Sequence, residues 1–270
     1  MIEGVSESTT RRRLRAFAAV LIALVGWELA CRLALVSPVL LRPPSRVVRT
    51  IATLLGERRI EADLLFTVSI YFGGLALSLV SGLAVGLLIG FSRRVEDVLM
   101  PFIVGAAALP KIVLMPLIVL WLGIGPAANL FLATLMGAFP IVLALHAGVR
   151  ALDPELLRLA RAFGAPRAMT LRELVLPSLL PFLLAGLRVA VSTTMVGAII
   201  AEFFASSRGL GYRVRLAMDN FEIDEFYAGV TLIAALTLSV QALVAALERR
   251  VEAGRPALPG STGGVIGATG

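Results

Sequence analysis

The sequence predicts an all-α polytopic membrane protein of about six transmembrane helices, and three observations predict it. Of the 270 residues, 58% are hydrophobic and only 16% are charged. Soluble domains carry roughly 45–50% and about 25%, and a chain this apolar is not disordered either. Six apolar runs are each long enough to cross a hydrocarbon core about 30 Å thick, which takes about 20 helical residues. Arginines gather between those runs, where loops of a membrane protein place them.

The runs cover residues 16–36, 64–91, 101–122, 127–149, 178–204 and 227–247. The first is too long for a signal peptide and is followed by Ser37 and Pro38 rather than by a small-residue cleavage site. With the N-terminus placed inside, fourteen arginines fall in inner segments and eight in outer ones. This bias favours both termini on the cytoplasmic side. The first outer loop, residues 37–63, is itself arginine-rich and carries a short interfacial helix starting at Ser45, after Pro43 and Pro44. Residues 1–14 and the Gly/Pro/Ser/Thr-rich tail 253–270 read as disordered, which leaves 15–252 as the transmembrane domain.

Composition also excludes function classes. The net charge is +7, but a nucleic-acid surface needs a polar basic face that this chain lacks. A single Cys31 and a single His146 exclude a disulfide framework and a multi-histidine metal site. The one lysine, Lys111, follows Pro110, so no P-loop for ATP exists here. His146 is distant in sequence from Ser81 and Ser92, so no nucleophile–base motif suggests an intramembrane enzyme.

Within the spans, Ser78, Gly82, Gly86 and Gly90 stack on one helical face. That face serves either a helix crossing at a transport path or ordinary tight packing. Pro110 and Pro116 break the third run around Lys111, which must snorkel, pair or face a cavity. Glu28 and Arg32 are spaced to pair on one face. His146, near the inner end of the fourth run, reads as packing or interfacial. Ser192, Thr193 and Thr194 place hydroxyls mid-way along the fifth run, either lining a route or bonding back to the helix. Glu202 stands near the outer end, as a cap of an outer gate or a marker of the membrane edge. If a solute crossing here is anionic, Arg188 or Lys111 could attract it.

The most informative stretch is 152–177, LDPELLRLARAFGAPRAMTLRELVLP. Asp153 suits an N-cap, Pro154 the first helical position and Glu155 the positive end of the helix dipole. Gly164 is placed to end the helix in the left-handed conformation. Pro166 then opens a second short helix, with a further boundary at Pro177. Leu152, Leu156, Leu159, Ala160 and Phe163 recur at helical spacing, so the segment can lie on a membrane or dock into a partner's apolar groove.

This stretch resembles the permease subunit of binding-protein-dependent ABC importers. That family carries a cytoplasmic EAA motif: E-A-A, three residues, G, nine residues, I, one residue, L-P. Here Ala160 takes the second alanine, Gly164 the glycine, Leu174 the isoleucine and Leu176–Pro177 the final pair. Arg158 stands in place of the glutamate and Leu159 in place of the first alanine. Further phrases resemble the nitrate, sulfonate and taurine branch: ALPKIVLMPLIVLWLGIG (108–125), LDPELLRLARAFGA (152–165), LPSLLPFLLAGLRVA (176–190) and AEFFASSRGLGY (201–212).

The resemblance implies a type I importer permease fold whose coupling helix meets a separate ATPase through Leu156, Arg158, Leu159, Ala160, Phe163, Gly164, Leu174, Leu176 and Pro177. It implies a translocation pathway drawing on Lys111, Arg188, Ser192, Thr193, Thr194 and Glu202. Further expectations are a second permease copy forming a homodimer, an extracytoplasmic substrate-binding protein, location in the inner membrane, and no cofactor in this chain, since the ATPase binds ATP and Mg. The cargo implied is a small solute of sulfonate, taurine or nitrate type. A secondary transporter or channel independent of ATP is the rival reading. It would need inverted repeats or a ring of intramembrane polar groups, and the sequence displays neither.

Overall fold

A computed structural model describes residues 9–37 and 41–253. Among these the chain is helical throughout: α1 (Thr9–Arg32), α2 (Pro44–Gly56), α3 (Glu61–Phe91), α4 (Arg93–Ala108), α5 (Met115–Leu122), α6 (Pro126–Arg150), α7 (Pro154–Ala162), α8 (Arg167–Met169), α9 (Leu176–Ala205), α10 (Leu210–Asp219) and α11 (Ile223–Ala253). α1 begins at Thr9, inside the segment 1–14 expected to be disordered, and α11 reaches Ala253. The remainder of both expected tails, 1–8 and 254–270, lies outside the described residues.

Four helical runs are long and apolar enough to span: α3, α6, Thr170–Ala205 and Ile223–Ala246. The third predicted run is a sharply broken helix rather than a kinked one. α4 ends at Ala108, Lys111–Leu114 form a 3₁₀ turn, and the two halves meet at 94°. Pro110 lacks an N–H to continue α4 and Leu109 is extended before it, which is how a residue preceding proline is restricted. Pro116 bends nothing; it sits in the first turn of α5, where a missing N–H costs nothing. Counting the bent pair as one gives up to five spans. The expected count of six is therefore not reached by these helices.

The core is the packing of α3, α6 and α9. α3 and α6 run parallel, because Gly74, Gly82, Gly86 and Gly90 meet Ala133, Ile141, Leu145 and Val149 in the same order. A Cβ at Gly82 would stand 2.7 Å from Ile141 Cβ, and one at Gly90 2.8 Å from Val149 Cβ. The small-residue stripe is thus a packing seam within one chain. α9 crosses on the other side, with Gly186 against Ala144 and Gly197 against the Leu132 carbonyl. Tyr71, fully buried on α3, donates its hydroxyl to the Val191 carbonyl of α9 at 3.1 Å.

Parallel α3 and α6 require the intervening chain to return across the bundle. Gly90 meets Val149 at one end, whereas the Gly125 N–H donates to the Ala205 carbonyl at the other (2.9 Å). The bent α4–α5 pair makes that return crossing. α1 touches chiefly α2, and its Val20, Leu21, Ile22, Val25 and Leu29 are exposed.

α2 starts at Pro44, within one residue of the predicted interfacial helix, and buries Val47 and Leu54. Part of the excess of arginine around it is offset by carboxylates at the start of α11. Arg42 and Arg46 hold Asp224 at 2.9 and 2.7 Å, and Arg59 lies 3.3 Å from Glu225. Glu28 accepts from Arg32 (2.7 Å), as its spacing predicted, and also from the Ser45 hydroxyl, tying α1 to α2.

Candidate coupling surface and pathway

The segment 152–177 folds as its sequence directs. The Asp153 carboxylate accepts from the Glu155 N–H at 2.7 Å, and Pro154 occupies the first turn of α7. Gly164 takes φ +71°. Its N–H donates to the Arg161 carbonyl and the Ala165 N–H to the Ala160 carbonyl, both at 3.0 Å. This bond pair is a complete Schellman closure, which needs a residue at positive φ.

The apolar face of α7 divides. Leu152 and Leu157 pack on the bundle beside Val149, Val175 and Leu179. Leu156, Leu159 and Phe163 stay exposed, Phe163 at 82%. With Ala160, Met169 and Leu174 they line an apolar groove of about 260 Å³. Arg158 and Arg161 fold back onto the Pro154 and Leu157 carbonyls, and Glu173 is the charged residue bordering the groove. Sequence reasoning missed Leu157 as the anchor and Met169 as a wall, since their spacing did not tell inward from outward on so short a helix.

Beyond Gly164 the expectation of a separate second helix is corrected. α8 runs into a π-helical turn, Thr170–Val175, and then directly into α9. The physical reason is Pro177, whose ring would clash with the carbonyl four residues earlier in a regular α-helix. A wider turn before it relieves the clash. Leu174 is half-buried, while Leu176 and Pro177 are exposed at the base of α9. Leu176 and Pro177 also border a second apolar pocket, with Leu83, Leu87 and Leu145.

The six residues expected along a pathway are not brought together. Lys111 sits at the α4–α5 bend, donates to the Ala107 carbonyl at 2.8 Å and lies 4.8 Å above the Phe139 ring. Ser192 receives a hydrogen bond from Gln241 of α11. Thr193 bonds back to the Val189 carbonyl at 3.1 Å. Thr194 is fully buried, with its hydroxyl pressed against Gly137. Arg188 is exposed on α9. His146 is a packing residue: its Nε2 meets Glu96 of α4 at 2.8 Å, and Arg150 pairs with the same carboxylate.

Glu202 is fully buried at the end of the bundle opposite α7. Its Oε2 accepts from the Thr67 hydroxyl (2.9 Å) and from the Gly211 N–H (2.8 Å). Thr67 in turn accepts from the Leu210 N–H, and Asp63 accepts from the Gly209 N–H while holding Arg213 at 2.7 Å. α10 therefore has its first N–H groups capped by side chains of α3 and α9. Glu202→Ala leaves Gly211 N–H buried without an acceptor, a cost of about 1–3 kcal/mol. The variant is expected to unfold at lower temperature in detergent, and Glu202→Gln, which keeps an acceptor oxygen, is expected to recover most of that loss.

Residues 82–253 match the family described as binding-protein-dependent transport system inner membrane component. The chain belongs to that family. It is 31% identical over 235 residues, 85% of this chain and 86% of the relative, to the taurine transport system permease protein TauC of Escherichia coli (strain K12). It is 32% identical to the formylaminopyrimidine transport permease protein ThiX of Halalkalibacterium halodurans, over 84% of this chain and 90% of that protein. With the putative aliphatic sulfonates transport permease protein SsuC of Bacillus subtilis (strain 168) the identity is 29%, over 86% and 84%.

The fold is shared with a solved methionine ABC transporter, MetNI, in inward-facing conformations (TM-score 0.60, 19% identity, 69% of this chain and 93% of that one). The protein is thus a multi-pass inner-membrane permease subunit of an ABC importer. It is not an enzyme, and nucleotide is handled by a separate ATPase. Membership in this family brings an ATPase and a binding protein as partners.

Proposed function

We propose that this subunit, with an identical second copy, encloses the route for a small solute of the sulfonate or taurine type. We further propose that α7 with its Gly164 turn is the element the ATPase grips. The observation that carries the reading is the exposed groove around Phe163, built on a helix that is itself anchored to the bundle by Leu157. Each large apolar side chain buried there contributes roughly 1.5–3 kcal/mol. Phe163→Ala is therefore expected to lower the amount of ATPase that co-purifies with the permease, while Phe221→Ala, equally exposed at the opposite end, leaves it unchanged.

The direction of each helix supports a six-span arrangement with both termini on the α7 side. α1 ends beside α2 and α11 begins there, at Asp224, so the N-terminal end of α1 and the C-terminal end of α11 lie toward the α7 end of the bundle. α1 is then the sixth span, and the α7 end is cytoplasmic. The exposed face of α9, through Arg188, Val189, Val196 and Phe204, faces the route and the second copy. Cargo classes follow from the relatives: taurine and aliphatic sulfonates are named for two of them, a pyrimidine for a third.

The test is thiol labelling after Cys31→Ala. Cysteine at Val196 is expected to react with a small water-soluble reagent and to be protected by cargo delivered on the binding protein. Cysteine at Val80, exposed on α3, is expected to stay unreactive. Equal labelling at both positions contradicts the pathway assignment.

A further inference from the structure

At the end of the bundle opposite α7, the junction of α1, α2 and α11 forms an open cavity of about 610 Å³. Arg32, Arg46, Arg49 and Arg59 line it against only Asp224 and Glu225. Arg46 is held by Asp224 at 2.7 Å and Arg59 lies 3.3 Å from Glu225, while Arg32 turns to Glu28 at 2.7 Å. Arg49 has no ion-pair partner among the described residues. The cavity thus presents more guanidinium than the chain neutralises. Guanidinium groups match phosphate oxygens through paired N–H donors.

Two further observations identify the source of the phosphate. The cavity lies beside the end of α1 and the first turn of α11, which in the six-span arrangement proposed above, on which this step rests, is the depth of lipid headgroups. Its α1 wall continues into exposed apolar surface, since the turn carrying Arg32 also exposes Leu29 (50%) and Leu33 (66%). α2 shows the same amphipathic split, with Val48 (65%) exposed beside Arg49. A molecule fitting both surfaces has a phosphate head and an acyl tail. We propose that this cavity is a binding site for the phosphate of an anionic membrane phospholipid, which fastens the otherwise loosely held α1 to α2 and α11.

The experiment compares wild type, Arg49→Gln and Arg49→Lys, with Arg94→Gln in the first turn of α4 as a control at the opposite end of the bundle. Each is full-length permease purified alone and, for ATPase activity, assembled with the ATPase and binding protein. Retained phosphatidylglycerol is read by native mass spectrometry. Thermal unfolding is read in nanodiscs of phosphatidylcholine with and without phosphatidylglycerol. Arg49→Gln is expected to retain about fivefold less phosphatidylglycerol, the factor given by about 1 kcal/mol per interfacial arginine, and to lose the stabilisation that this lipid confers. Arg49→Lys should fall between, and Arg94→Gln should match wild type.

Equal retention by wild type and Arg49→Gln overturns the proposal. So does stabilisation by inorganic phosphate or glycerol phosphate as large as that by the lipid, which assigns the cavity to a soluble anion. Loss of binding-protein-stimulated ATPase activity in Arg49→Gln with lipid retention intact also overturns it, and assigns the cavity to an acidic face of a protein partner.

Discussion

Gly164→Val is expected to abolish cargo-stimulated ATPase activity in the assembled transporter while leaving the permease inserted and folded. A Cβ at Gly164 would meet nothing within 4 Å, so the effect is not steric crowding by neighbours. It comes from the backbone: at φ +71° an L-residue is strained by about 1–2 kcal/mol, and a β-branched one more. A shift of that size changes the population of the turn by about 5–30-fold. The Schellman bonds from Gly164 and Ala165 then open, and α7 no longer presents Leu156, Leu159 and Phe163 as one surface. Asparagine tolerates the left-handed region, so Gly164→Asn should retain most of the activity. ATPase stimulation in proteoliposomes with the binding protein measures both. Equal loss in the two variants would show that something other than φ makes glycine necessary.

Gly137→Leu is expected to prevent accumulation of folded permease altogether. Gly137 lies where α6 passes both α3 and α9, and even a Cβ would overlap the Thr194 hydroxyl and crowd Ser78. Neither neighbour is the free end of a flexible chain; both are short side chains on packed helices. Overpacking of this kind commonly costs about 1–3 kcal/mol for a methylene or two, and leucine adds more than that. The milder Gly137→Ala should be partly rescued by Thr194→Ala, which removes the nearer clashing atom. Stability of the single and double variants in a thermal unfolding series measures this coupling, and strict additivity would show that the close approach is relieved elsewhere.

Much of this fold was legible because the deciding signals are local. Asp153, Pro154 and Gly164 fix the two ends of α7 through a cap, a first-turn proline and a positive φ, and all three depend on residues a few positions apart. The spacing of Ser78, Gly82, Gly86 and Gly90 identified a seam. What the spacing could not say is which helix lies on it, and the partner proved to be α6 in the same chain. The 94° break between α4 and α5 was visible as Pro110 but not in size, since a proline removes a bond without dictating the new direction. The π-turn before α9 was hidden for the same reason.

The six residues proposed along a pathway show the limit more sharply. Hydroxyls at Ser192, Thr193 and Thr194 point around α9 to α11, to their own helix and to α6, respectively. Consecutive helical positions diverge by design, so adjacency in sequence was no guide to a shared face. The roles of Thr67 and Asp63 in capping α10 rest on contacts across more than a hundred residues, and no short-range pattern encodes them.

The most direct test of the central claim uses the two most exposed phenylalanines among the described residues, Phe163 and Phe221, each 82% exposed at opposite ends of the bundle. In a Cys31→Ala background, Phe163→Cys and Phe221→Cys are assembled with the ATPase and treated with a short bifunctional thiol–amine cross-linker. A permease–ATPase adduct at position 163, absent at position 221, is the predicted result. An adduct at 221, or labelling of 163 by an impermeant reagent from the outside of intact cells, would contradict the account.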